Sequence, residues 1–181
     1  KPVRRVAMVG LGTGTIACYG RPEEHWTFYE IDPLVAEIAR TPMYFSYLRD
    51  CAPRTKLVIG DARVSLGGAA DKEFDIIVLD AFSSDAIPAH LITREAIALY
   101  MQKLRDDGVV AIHISNRYLD LRPVIIALAN DARLPGAIGE RSPDTEQRGK
   151  LYYGSRWMVL AKDAAVLAPL VKLDGWAALG S

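Results

Sequence analysis

The sequence predicts an α/β domain, with a mostly parallel sheet and helices on both faces. Three observations predict it. Short, continuous, β-branched apolar runs recur along the chain. Stretches with helical spacing separate them, and a glycine-rich turn follows the first run. Continuous apolar runs suit strands buried on both faces. The 181 residues suit one domain, 1–181. Hydrophobic residues make up 50% and charged residues 24%, so a core can form and disorder is not expected.

The elements follow in order. Val6–Val9 reads as the first strand and runs into "VGLGTGTIACYG", where an apolar segment can start a helix. Trp26–Ile31 reads as the second strand. Asp32 then suits an N-cap and Pro33 a first helical turn. Lys56–Ile59 and Phe74–Leu79 read as the third and fourth strands. After Thr93, Ile97, Tyr100, Met101 and Leu104 fall on one helical face, in a helix expected to stop before Gly108. Val109–Ser115 reads as a fifth strand. Asp120 and Pro123 open another helix, expected through Leu128. The polar stretch Arg141–Ser155 reads as a loop, either a plain connection or a lid, and Trp157–Ala161 as a late strand.

Charge narrows the function. Lys+Arg and Asp+Glu both number 22, which argues against a nucleic-acid binder driven by phosphate contacts. Cys18 and Cys51 form no CxxC and suggest no disulfide framework, so a reducing, cytoplasmic setting is expected. No apolar run approaches the ~18 residues that span a bilayer, and no signal peptide is visible. The chain starts at Lys1 and reaches a strand almost at once, so a domain of something longer is expected. His25, His90 and His113 lack metal-ligand spacing, and no metal is expected. His113, in a strand, is expected to be a satisfied histidine near the core. His90 follows an acidic loop, within possible reach of a pocket. Tyr152 and Tyr153 suit packing, or the lining of an apolar ligand chain. Arg4, Arg5, Arg40 and Arg54 form no run and read as solvated surface.

Candidate ligand groups cluster after strands. Gly10, Gly12 and Gly14 give G-x-G-x-G, which lets the backbone approach a ligand. A dinucleotide turn would need glycine at 15, where Thr15 stands, so an adenosine-type ligand such as S-adenosylmethionine is favoured over NAD. A plain tight turn is the alternative. Glu30 ends the second strand twenty residues past Gly10, where one carboxylate can accept from both ribose hydroxyls. Asp61 follows the third strand and suits an adenine amino group, with the Ala62 N–H meeting a ring nitrogen. A turn-forming Gly-Asp pair is the alternative there. Asp80 ends the fourth strand and opens "DAFSSDAIPAH", so three acids converge on one sheet edge.

The segments "GLGTGT", "YEID", "GDAR", "DIIVLDAFSSDAIPAHLITREA" and "HISNRYLDL" together resemble the spermidine synthase family. The likeness is nearest to its bacterial spermidine-synthase-like branch, often fused to membrane-spanning segments. It runs from Val6 to about Ala161 and is most specific over Asp75–Ala96. It implies a class I methyltransferase-like Rossmann fold. It implies aminopropyl transfer from decarboxylated S-adenosylmethionine to a polyamine such as putrescine, and it raises a homodimer as an expectation. By position, Gly10, Gly12, Thr13 and Gly14 would form the nucleoside turn, Glu30 would hold ribose, and Asp61 with Ala62 would hold adenine. Asp80 would be the catalytic acid and Asp85 the diamine anchor, with Ser83 and Ser84 adding hydrogen bonds. The chemistry suits these acids, because a diamine is dicationic and its attacking nitrogen must lose a proton.

The chain departs from the family pattern in three ways. Thr13 stands where the family usually carries aspartate, as G-G-G-D-G, an acid that meets the donor's aminopropyl ammonium. The family's D-S-S-D-P becomes Asp80-Ala81-Phe82-Ser83-Ser84-Asp85-Ala86, displacing the second acid by two residues. The family's small N-terminal β domain is absent from these residues. An S-adenosylmethionine-dependent methyltransferase, which shares the turn and the acids, therefore stays open. So does a domain that binds a nucleoside or partner without turnover.

Overall fold

The computed structural model describes residues 4–51, 54–82, 87–116, 119–141 and 154–180. One eight-stranded sheet organises them, in the order β3-β2-β1-β4-β5-β7-β6-β8. The strands are β1 (Arg5–Val9), β2 (His25–Glu30), β3 (Thr55–Ile59), β4 (Phe74–Leu79), β5 (Leu104–His113), β6 (Gly136–Arg141), β7 (Ser155–Ala161) and β8 (Trp176–Ala178). Pairs among β1 to β5 are parallel. Those joining β5, β7, β6 and β8 are antiparallel. The α-helices are α1 (Pro33–Arg40), α2 (Tyr47–Asp50), α3 (Ala62–Gly67), α4 (Arg94–Lys103), α5 (Arg122–Asp131) and α6 (Ala164–Leu167). A class I methyltransferase-like Rossmann fold results, as expected.

Strand periodicity explains why the runs are continuous. Ala7, Val9, Ile77, Leu79, Val110 and Ile112 point to the face that carries Leu66 of α3, Ile97 and Tyr100 of α4 and Ile125 of α5. Their neighbours Val6, Met8 and Val78 point to the face covered by Ala17, Ala36 and Ala39. Both side-chain sets are therefore apolar, and alternation vanishes from the sequence.

Caps follow the sequence reading. Asp32 Oδ1 accepts the Leu34 N–H at 2.8 Å, with Pro33 opening α1. Thr93 Oγ1 accepts the Ala96 N–H at 3.2 Å to start α4. Asp120 Oδ1 accepts the Arg122 N–H at 3.1 Å ahead of α5, which runs on to Asp131.

Several expectations need correction. The helix expected to reach Leu104 ends at Lys103, and Leu104 already begins β5. Leu104 is fully buried and pairs with Phe74, so the charged stretch Arg105–Asp107 lies within a strand, beside a register shift. Consequently β5 starts earlier than Val109, and it stops at His113 rather than Ser115. β2 stops at Glu30, so the exposed Ile31 lies outside it. Strands β6 and β8 were not anticipated: β6 carries Gly136 and Gly139, which weaken a strand signal. Trp176 packs where a Gly139 side chain would stand. Finally, Cys18 and Cys51 are joined in a disulfide, with Cα atoms 4.6 Å apart, contrary to the expectation that they form no disulfide framework. The 3-10 helix Thr15–Tyr19 and α2 lie side by side, which brings the two sulfurs together. Most of the expected 141–155 loop lies outside the described residues.

Candidate active site

β1 has β2 on one side and β4 on the other, so strand order reverses beside it. Ligands of open α/β sheets bind at the carboxyl ends of strands at such a point. A cleft of about 570 Å³ opens there. The glycine turn forms one wall. Gly10 has φ +96°, and a β-carbon on it would strike the Asp80 carbonyl. The Gly10 N–H donates to the Tyr29 carbonyl at 2.9 Å, and the Asp80 N–H to the Val9 carbonyl at 2.9 Å. The turn is thus pressed against the end of β4, which only glycine permits. Gly12 lines the cleft, whereas Thr13 and Gly14 are not among its lining residues. The Thr13 hydroxyl bonds that of Thr15 at 2.6 Å. Gly14 has φ +81° and packs against Leu48 of α2.

Four carboxylates line the cleft, those of Glu30, Asp32, Asp61 and Asp80. Among the described lining residues there is no lysine or arginine. Glu30 is 8% exposed. Its Oε2 accepts the Leu11 N–H at 3.1 Å and its Oε1 the Asp32 N–H at 2.9 Å. These bonds fix the carboxylate between the glycine turn and the start of α1, and each oxygen keeps a further lone pair. Tyr29, beside it, is pushed up to about 12 by burial, with the negative charge of Glu73 adding to the effect. Its phenol stays neutral across the working pH range.

Asp61 is more heavily used than its sequence role implied. Oδ1 accepts the Val64 N–H at 3.0 Å and so caps α3. Oδ2 lies 3.0 Å from His90 Nε2. Arg63 Nη1 donates to the His90 carbonyl at 3.0 Å. Tyr100 Oη donates to the Leu91 carbonyl at 3.0 Å, anchoring the short helix that carries His90. His90 therefore reaches the cleft, as its place after the acidic loop allows. Ala62 opens α3 at the cleft wall.

Asp80 Oδ1 lies 2.7 Å from His113 Nδ1. His113 Nε2 lies 2.8 Å from Ser115 Oγ, and Ser115 Oγ accepts the Arg156 N–H at 2.7 Å. His113 is satisfied, as expected, but by the candidate catalytic acid itself. No spacing in the sequence signals this pair. It arises from parallel register: Leu79 pairs with Ile112, which sets the following Asp80 beside His113. Ser83, Ser84, Asp85, Tyr152 and Tyr153 lie outside the described residues. Among the described residues, no group of histidines, cysteines and carboxylates is arranged to hold a metal ion.

The reversed strand order and the glycine turn define an open α/β domain of the methyltransferase-like class. The family model for the spermine/spermidine synthase domain matches residues 3–132, and the chain belongs to that family. It is 37% identical over 111 residues to a polyamine aminopropyltransferase of Vibrio vulnificus, a match covering 59% of this chain and 36% of that protein. It is 36% identical over 113 residues to an N-terminal histidine N-methyltransferase of Emericella nidulans, covering 59% of this chain and 19% of that protein. The matched region thus spans about a third of the first relative and a fifth of the second. Among solved structures, a probable spermidine synthase from Corynebacterium glutamicum superposes with a TM-score of 0.68 at 20% identity, covering 97% of this chain and 66% of that one. A spermidine synthase in complex with the transition-state analogue AdoDATO also gives 0.68, at 19% identity, covering 91% and 57%. Human methyltransferase-like protein 13 in complex with SAH gives 0.65, at 18% identity, covering 94% and 79%. At these identities the structures speak to the fold alone.

Proposed function

We propose that this chain moves the aminopropyl group of decarboxylated S-adenosylmethionine to a diamine or polyamine. The observation that carries the reading is the cleft itself, with four carboxylates and no lysine or arginine among its described lining residues. That lining favours cations. The decarboxylated donor carries a sulfonium and an ammonium and lacks the carboxylate that such a cleft would repel. The acceptor is cationic as well.

In the proposed reaction, Glu30 holds the ribose and Asp61 with Ala62 the adenine. The neutral amine nitrogen attacks the methylene carbon bonded to sulfur. The C–N bond forms as the C–S bond breaks, and its electron pair leaves on sulfur as the neutral thioether methylthioadenosine. The nitrogen's proton passes to the Asp80 carboxylate and then to water. A thioether needs no acid to leave, so the remaining rate comes from in-line positioning. Asp85 anchors the far ammonium in this scheme, with Ser83 and Ser84 beside it.

Methyl transfer from intact S-adenosylmethionine is the second reading. Thr13 favours it: the position often occupied by an acid in spermidine synthases holds a hydroxyl already bonded to Thr15. Mass spectrometry of reactions given each donor separately, with mixed diamines, distinguishes the two. Methylthioadenosine with a lengthened amine, from the decarboxylated donor alone, is expected. S-adenosylhomocysteine from the intact donor would replace the first reading with the second.

A further inference from the structure

Hydrogen-bond accounting assigns the His113 tautomer. The Arg156 backbone N–H can only donate, so Ser115 Oγ accepts it, at 2.7 Å. The Ser115 hydroxyl proton is then free to point at His113 Nε2, 2.8 Å away. With Nε2 accepting, the neutral ring carries its proton on Nδ1 and donates it to Asp80 Oδ1 across 2.7 Å. The opposite tautomer would set two lone pairs against each other at that distance.

The ring is also clamped in its plane. Trp157 stacks on it at 4.5 Å with planes 8° apart. Phe82 meets it edge-on at 4.9 Å and 79°. The Trp157 contact is set by the sheet, because His113 and Trp157 are direct partners in the antiparallel β5–β7 pair. Arg156, the neighbour of Trp157 on β7, pairs with Glu140, at 2.6 Å. The imidazole therefore has one polar outlet toward the cleft, and that outlet is Asp80.

We infer that His113 is a positioning residue: fixed as the Nδ1–H tautomer by Ser115, it holds Asp80 by Oδ1 and leaves Oδ2 to take the proton of the attacking amine. The inference rests on the aminopropyl-transfer reading for its amine and on the hydrogen-bond chain for its geometry. Asp80 ends a strand, where its side chain has rotamer freedom that a base acting on a loosely held amine must lose.

Two measurements on the intact chain test it. Nitrogen-15 NMR of the imidazole is expected to show Nδ1 protonated and Nε2 bare in the wild type. A wild-type ring protonated on Nε2 alone overturns the inference whether or not the chain turns over. In kinetics, His113→Asn places an amide N–H near Nδ1 and is expected to stay within about fivefold of wild-type kcat. His113→Phe keeps the stack without the bond and is expected to lose kcat ~100-fold at unchanged nucleoside KM and melting temperature. Wild-type kcat in His113→Phe overturns the inference. So does an equal loss in both variants accompanied by lower melting temperatures, which would mark His113 as merely structural. If the wild type makes no methylthioadenosine, the aminopropyl reading fails on its own and the NMR result still decides the positioning role.

Discussion

Glu30 builds the fold at the place where the proposed reading needs a ribose ligand. Its carboxylate ties the Leu11 and Asp32 amides, so it builds the cleft wall. Glu30→Ala leaves a buried amide unpaired and should cost about 2 kcal/mol of stability. It should also weaken nucleoside binding roughly tenfold or more, since hydrogen bonds to a charged group are lost. Thermal melting and calorimetric titration read the two effects; normal affinity would remove Glu30 from the ribose role. Glu30, Asp61 and Asp80 drew notice in the sequence because each lies at or just past the end of a strand-like run. His113 was not, because its partner lies 33 residues away and only strand register joins them. Nor was the His90–Asp61 contact, which depends on the chain folding back after β4.

At the scale of elements, the start of α5 has a pH signature. Hydrogen bonds from the Arg122 side chain, then its backbone N–H, hold the Asp120 carboxyl down at about 2. Because the folded value lies below the ordinary carboxylate range, the contribution is present above about pH 4 and is lost as pH falls toward 2. Carbon-13 NMR should therefore find Asp120 still ionised at pH 3. Titration near 4 would mean that the Arg122 contacts do not persist in solution. Elements differed in legibility for physical reasons. β1 and β4, in the middle of the sheet, are covered on both faces and read as largely apolar runs. β5 begins within Leu104–Gly108, whose charges look like the end of a helix, yet the buried Leu104 and the pairing with Phe74 make it strand. β6 and β8 rely on antiparallel neighbours and on glycines that admit Trp176, a packing relation that a linear pattern does not carry.

For the whole molecule, two global quantities conceal local organisation. Equal numbers of acids and bases give zero net charge, yet acids dominate the cleft at the strand ends. Two cysteines look unrelated in sequence, yet their disulfide closes a loop that contains β2 and α1 and ties α2 to the segment after the glycine turn. A loop of that length should contribute ~3–4 kcal/mol by restricting the unfolded chain. Reduction is expected to lower the melting temperature by roughly 10 °C. Thiol titration should find two reactive sulfurs only after reductant; two before it would show the pair unlinked. The Rossmann-like architecture was legible because it repeats one local unit, whereas the disulfide depends on tertiary placement.

The proposed transfer depends most directly on Asp80 as the group that takes the amine's proton. The measurement that tests this is the rate of methylthioadenosine release from decarboxylated S-adenosylmethionine and putrescine by wild type and Asp80→Asn, with nucleoside affinity measured by calorimetry on the same samples. A rate loss of ~100- to 1,000-fold at unchanged affinity is expected. An unchanged rate, or a rate that falls only in step with affinity, would contradict it.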